Sequence, residues 1–179
     1  MSIQTGAYTL GPENGTLSVK TGRTGAAAKA GHDLLLEVTA WEATLEVGED
    51  PAQATVTLDA DATSLRVREG TGGMQALGDD DIANIHQTID SDVLKRQAIT
   101  FRSTRSEAGT DGVLRVQGEL TIGDQSHPVE FDLTIGGDGT LRGRAVIKPS
   151  DWGIKPYSIL FGALKVADEV EVAIDAQSR

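Results

Sequence analysis

Two rows of alternating residues, separated by a two-residue turn, constrain this chain more than any other feature. From Val113 to Ile122, Leu114, Val116, Leu120 and Ile122 share one face, while Arg115, Gln117, Glu119 and Thr121 take the other. Past Gly123 and Asp124, Val129, Phe131, Leu133 and Ile135 alternate with Glu130, Asp132 and Thr134. A period of two places successive side chains on opposite faces of a strand, so each row has an apolar and a polar side. Strands of this kind belong in an antiparallel sheet whose apolar face is covered.

The pattern recurs along the chain. Tyr8 to Leu10 is the first candidate strand, and Thr16 to Thr21 the second, with Leu17, Val19 and Thr21 on one face. Gly22 to Gly31 reads as a loop or a closely packed crossing strand. Leu34, Leu36 and Val38 alternate, as do Trp41, Ala43, Leu45 and Val47, but the two series are out of phase by one. A bulge near Val38 to Ala40 returns both to one face and bends a long strand; the alternative is a strand between two apolar layers. Thr55 to Ala62 sets Val56, Leu58 and Ala60 against Asp59 and Asp61, with Leu65 and Val67 following. Ile99 to Phe101, Leu141 to Ile147 and Leu164 to Ile174 complete the strands, and Gly136-Gly-Asp-Gly139 signals a hairpin.

One stretch breaks the period. After Gly70-Thr-Gly-Gly73, Ile82, Ile85, Ile89 and Val93 fall near helical spacing, with Asp79, Asp80 and Asp81 at the start and Lys95 and Arg96 at the end. That charge order complements a helix dipole, and N-capping accounts for the three acids. About eight strands with short turns and one helix leave no repeated crossovers for parallel pairing. The expected fold is all-β: one domain over residues 1–179, an antiparallel β-barrel whose closure removes its edges. An open two-sheet sandwich is the alternative.

Composition narrows function. With 27 acidic and 16 basic residues the net charge is −11, which repels phosphodiester backbones, so no nucleic-acid partner is expected. No window reaches the roughly 18 apolar residues of a membrane span, so an integral membrane protein is not expected. The stretch Met1 to Tyr8 has neither a basic nor an apolar signal region, making cytoplasmic the default expectation. The absence of cysteine removes disulfides, thiolate ligands and cysteine nucleophiles. His32, His86 and His127 are too scattered for metal-ligand spacing, and no nucleophile elbow, dinucleotide or phosphate-loop motif is present. His86, on the helix, and His127, before Pro128, read as solvated, although His86 is also placed to face the barrel. His32, beside Asp33 at a strand start, either hydrogen-bonds a ligand head or closes the barrel end through backbone contacts. Asp151-Trp-Gly-Ile-Lys-Pro-Tyr157 reads as an aromatic bend, in which Trp152, Tyr157 and Phe161 either plug the barrel or touch a ligand at its open end.

Five segments together resemble the YceI-like family. They are Tyr8-Thr-Leu10; Gly31-His-Asp-Leu-Leu-Leu-Glu-Val38 with Trp41; the helix leading through Val93-Leu94 to Ile99-Thr-Phe-Arg-Ser103; Val116-Gln-Gly-Glu-Leu-Thr-Ile122 with His127-Pro-Val129; and Asp151-Trp-Gly-Ile-Lys-Pro156. The resemblance implies a lipocalin-like barrel of about eight strands with a short helix covering one opening. It also implies a hydrophobic tunnel for polyisoprenoid chains, such as isoprenoid quinones, or related amphiphiles, and no signature catalytic residues. The expected function is non-enzymatic binding or carriage of such a lipid, without cofactor or metal. Leu36, Val38, Leu58, Phe101, Leu120, Phe131 and Leu133 are expected to line the tunnel, and Trp152, Tyr157, Phe161 and His32 to lie near an end. A homodimer is compatible with this reading. The alternatives are a packed barrel serving as a protein-interaction or stress-related structural module, and an enzyme acting on an isoprenoid through His32. A ligand tunnel requires at least roughly 300 Å³ of interior space.

Overall fold

The computed structural model of the chain describes residues 5–73, 76–155, 157–159 and 164–178. The strands are β1 Gly6–Leu10, β2 Gly15–Lys20, β3 Arg23–Thr24, β4 Asp33–Val38, β5 Trp41–Val47, β6 Thr55–Ala60, β7 Leu65–Thr71, β8 Ile99–Ala108, β9 Val113–Ile122, β10 Gln125–Ile135, β11 Thr140–Ile147, β12 Ser158–Ile159, β13 Leu164–Val166 and β14 Val170–Gln177. The helix α1 spans Asp79–Thr88. Eleven strands form one antiparallel sheet in the order β1-β5-β6-β8-β9-β10-β11-β14-β2-β4-β7, and β12-β13-β3 form a small second sheet. Leu164 to Ile174 is therefore two strands in different sheets, and the Gly22 to Gly31 stretch holds the short β3 and a 3-10 turn, Ala28–Ala30.

The out-of-phase series meet at a corner. Strand β4 pairs with β2 and β7 near one end of the strand order, while β5 pairs with β1 and β6 near the other. Only Thr39 and Ala40 separate β4 from β5, so the two ends of the sheet come together there and the sheet curls into a barrel. The neighbouring β6 and β7 turn the same corner through the 3-10 turn Ala62–Ser64. Buried Ser64 holds it: its carbonyl accepts from Thr39 N at 3.0 Å and its Oγ from Ala40 N at 3.0 Å. Here the structure corrects the expected bulge, because the chain leaves its ladder at Thr39–Ala40 and changes partners. The consequence for side chains is the expected one, since Leu36, Val38, Trp41, Ala43, Leu45 and Val47 are all buried. The eleven segments also come close to the expected count of about eight strands, because 33–47 and 55–71 are each divided in two at the corner.

One end of the barrel is solid. Leu114, Val116 and Leu141 have no exposed surface, and Val47, Ile135 and Ala176 pack with them. The outer face carries cross-strand pairs such as Arg115–Asp132 at 3.3 Å and Arg102–Asp59 at 3.0 Å. Exposed pairs of this kind contribute little stability each. They account for much of the polar alternation.

Helix α1 crosses the other end. Asp81 Oδ2 accepts from Gly78 N at 3.0 Å, so Gly78 occupies the cap position and the acid reaches back to it. A π-helical turn, Ile89–Val93, continues the helix, with Leu94 N donating to Ile89 O at 2.8 Å. Lys95 and Arg96 then take φ of 52° and 56°, a left-handed pair that stops it.

Candidate functional site

Above the solid end the inward rows fail to meet, leaving a cavity of about 480 Å³. Its walls are almost wholly aliphatic and aromatic. They come from the inward positions of β2, β4, β5, β6, β8, β9, β10, β11 and β14, as the alternation dictates. Ile85 and Ile89 of the helical segment roof it, so the helix's apolar stripe faces the void. Such walls offer water almost no hydrogen bonds, which makes water a poor occupant. The volume lies within the roughly 300–1,000 Å³ typical of small-molecule sites. A barrel packed solid throughout, the alternative expected from sequence, is not the architecture observed.

Leu36, Val38, Leu58, Phe101, Leu120, Phe131, Leu133 and Tyr157 all line this cavity. Phe101 and Phe131 meet with ring centroids 5.5 Å apart, tilted by 58°. Two of the expected site residues, Trp152 and His32, stand elsewhere. Phe161 lies outside the described residues. Trp152 is buried but does not border the void: its Nε1 donates to Leu120 O at 2.7 Å, and it packs with Ile122 and Ile154. Contrary to the solvated reading, His127 is half-buried and meets the Trp152 ring edge-on, with centroids 5.3 Å apart. His32 does not border the void either. It lies against Gly73, where a Cβ would come within 2.5 Å of its ring, beside an Arg23–Asp33 pair at 3.5 Å. It belongs to the loop junction at the start of β4.

The helix over one opening is the expected one, but sequence reasoning missed that its stripe of Ile85, Ile89 and Val93 forms part of the wall. It also missed the role of His86, whose Nε2 accepts from Val67 N at 3.0 Å and so ties α1 to β7. Burial, and secondarily the Arg66 guanidinium, hold His86 below the usual histidine range, while Asp90 pulls the other way. As an acceptor, the ring is neutral at Nε2. Among the described residues, no group of three or more His, Cys, Asp or Glu side chains is placed to hold a metal ion. No helix among them is long and apolar enough to cross a membrane.

The family model of the YceI-like domain matches residues 8–178. Among curated protein sequences none matches this chain. Among solved structures, Burkholderia cenocepacia BcnA superposes with a TM-score of 0.64 at 17% identity, covering 90% of this chain and 94% of that one. The Campylobacter jejuni YCEI protein gives 0.60 at 15% identity over 80% and 84%. A polyisoprenoid binding domain from Saccharophagus degradans, implicated in plant cell wall breakdown, gives 0.55 at 8% identity over 97% and 99%. At these identities the likeness establishes the fold.

Proposed function

Since the chain belongs to the YceI-like family, we propose that it binds and carries a single-chain apolar lipid, of polyisoprenoid or isoprenoid-quinone type, without chemically altering it. The observation that supports this most is the 480 Å³ void with its nearly unbroken apolar wall. The S. degradans domain, described as polyisoprenoid binding, adds a neighbour of the same fold. Burying about 600 Å² of isoprenoid at roughly 25 cal/mol per Å² yields on the order of 15 kcal/mol gross. Association and chain ordering oppose it by about 4–15 kcal/mol, leaving affinities that depend on fit. Each methylene adds only about 0.8 kcal/mol, so chain length is read weakly until the cavity is full. Walls that are almost wholly apolar, with Arg144, Lys155 and Asp168 among the few charged residues bordering the void, suit storage or transfer of the ligand unchanged. A net charge of −11 disfavours phosphodiester backbones, and a lipid is the partner on this reading.

The test is organic extraction of protein purified under native conditions, followed by mass spectrometry. A recurrent chain-bearing lipid at near-stoichiometric amount is the expected result. Protein that comes out empty, and takes up no prenyl or alkyl chain when offered one, removes the proposal.

A further inference from the structure

The wall of the cavity has a gap in its hydrogen-bond ladder. Strands β10 and β11 pair only from Ile135↔Leu141 to Asp132↔Arg144. Both continue well past that point. Strand β10 stays paired with β9 down to Gln125, and β11 with β14 up to Ile147. Residues 125–131 and 145–147 thus face each other across an unzipped seam. The chemistry of β10 removes one donor from the unpaired stretch. Ile135 N donates to Gly112 O on the β9 side, whereas Gly136 N donates to Thr140 O on the β11 side. Even-numbered β10 residues therefore direct their backbone groups at β11, and Pro128, with no N–H, is one of them.

The seam opens on the cavity. Val129 and Phe131 on one lip, and Ala145, Ile147 and Pro149 on the other, border the same void. Beyond Ile147 the chain turns through Pro149–Trp152 toward β9, and Trp152 forms with Ile122 and Ile154 an apolar cluster against which Ile147, Val129 and Leu120 pack. A single side-chain bond, from Trp152 Nε1 to the Leu120 carbonyl, is described between this indole and β9. Two large apolar side chains are exposed among the described residues: Val146 at 63%, on the β11 side of the seam, and Tyr157 at 42%, which also touches the void.

We propose that the seam between β10 and β11 is the port through which the ligand's chain enters and leaves, with the Trp152 turn as its gate. The inference rests on the lipid-binding reading and specifies the ligand further. A side port admits a flexible linear chain end-first and leaves its polar head at the rim beside Lys155 and Tyr157. It does not favour a rigid fused-ring lipid.

The chain has no cysteine, so a disulfide placed across the seam reports cleanly. Glu130 and Val146 are the next outward-facing positions past the last paired residues. Uptake and release of dansyl-tagged hexadecylamine are followed by stopped-flow fluorescence in Glu130→Cys/Val146→Cys, oxidised and then reduced, and in Trp152→Phe. Trp152→Phe keeps the apolar bulk and loses the donor. Oxidation is expected to slow both rates at least tenfold, with recovery on reduction. Trp152→Phe is expected to speed both rates several-fold, with little change in Kd. Wild-type rates in the oxidised pair and in Trp152→Phe, or acceleration only when α1 is freed by His86→Ala, overturn the port. A wild-type protein that binds no probe at equilibrium overturns the lipid-binding reading instead.

Discussion

At the residue scale, the site depends on where the chain omits side chains as well as where it supplies them. Gly118 lies on β9 opposite Ser103, where the β8 ladder shifts register. A Cβ there would come within 2.5 Å of both Arg102 O and the Phe101 ring, so the glycine lets Phe101 lie flat across its neighbour and face the void. Gly118→Ala must move backbone as well as a ring, and overpacking of this kind costs about 1–3 kcal/mol. The expected result is a lower urea midpoint with an unchanged slope, and a midpoint equal to wild type would show the contact to be soft. The inward rows were legible from period two alone, which is why Leu36, Leu58, Phe101 and Leu133 fall on the wall. His32 and Trp152 were not placed that way. Both sit at turns, and which neighbour a turn residue meets depends on strands far away in the chain: Gly73 for one, Leu120 for the other.

At the scale of elements, the helix was visible in the change of period and in its acidic start, but its docking was not. The bond that ties α1 to the barrel joins a side chain to a backbone N–H on β7, nineteen residues earlier, and no sequence pattern encodes such a partner. The latch is sensitive to pH. A protonated imidazole cannot accept from Val67 N, so protonation and docking exclude each other. His86 is held below its ordinary value, so the folded protein binds fewer protons there than the unfolded chain does. The latch therefore contributes fully above the ordinary histidine value near 6.5, and its contribution is lost as pH falls from there through the folded value. Arg66 works with burial in this, and Asp90 against it. Amide exchange, corrected for intrinsic rates, is expected to show protection of Val67 falling as the pH is lowered below about 6.5. In His86→Ala the protection is expected to be low and flat across that range. Undiminished protection of Val67 at the acid end in the wild type would mean that the ring does not hold the helix.

At the scale of the whole molecule, the question is why the interior is hollow at one end and solid at the other. Alternation specifies which side chains point inward, but whether they meet depends on how tightly the sheet curls and on the volume each row supplies. The corner at Thr39–Ala40 sets the closure, and it appeared in sequence only as a phase slip. The cavity wall is also thin in bulk at several inward positions: Ala43, Ala60, Gly143 and Ala145 all border the void. The solid end instead presents Leu114, Val116, Ile135 and Leu141. If the missing volume is kept for a ligand, restoring some of it should help the unloaded protein and harm the loaded one. Ala60 is the position to use, because it is only half-buried and borders the void. Ala60→Leu adds three carbons, each worth about 0.8 kcal/mol when taken out of water. The delipidated variant should therefore unfold at an equal or higher urea concentration than wild type. Its affinity for the longest chain that wild type accepts should fall about tenfold, the equivalent of about 1.4 kcal/mol, while short chains are scarcely affected. A variant that is more stable yet binds the longest chain as well as before would show that the void is a packing defect and not a binding site.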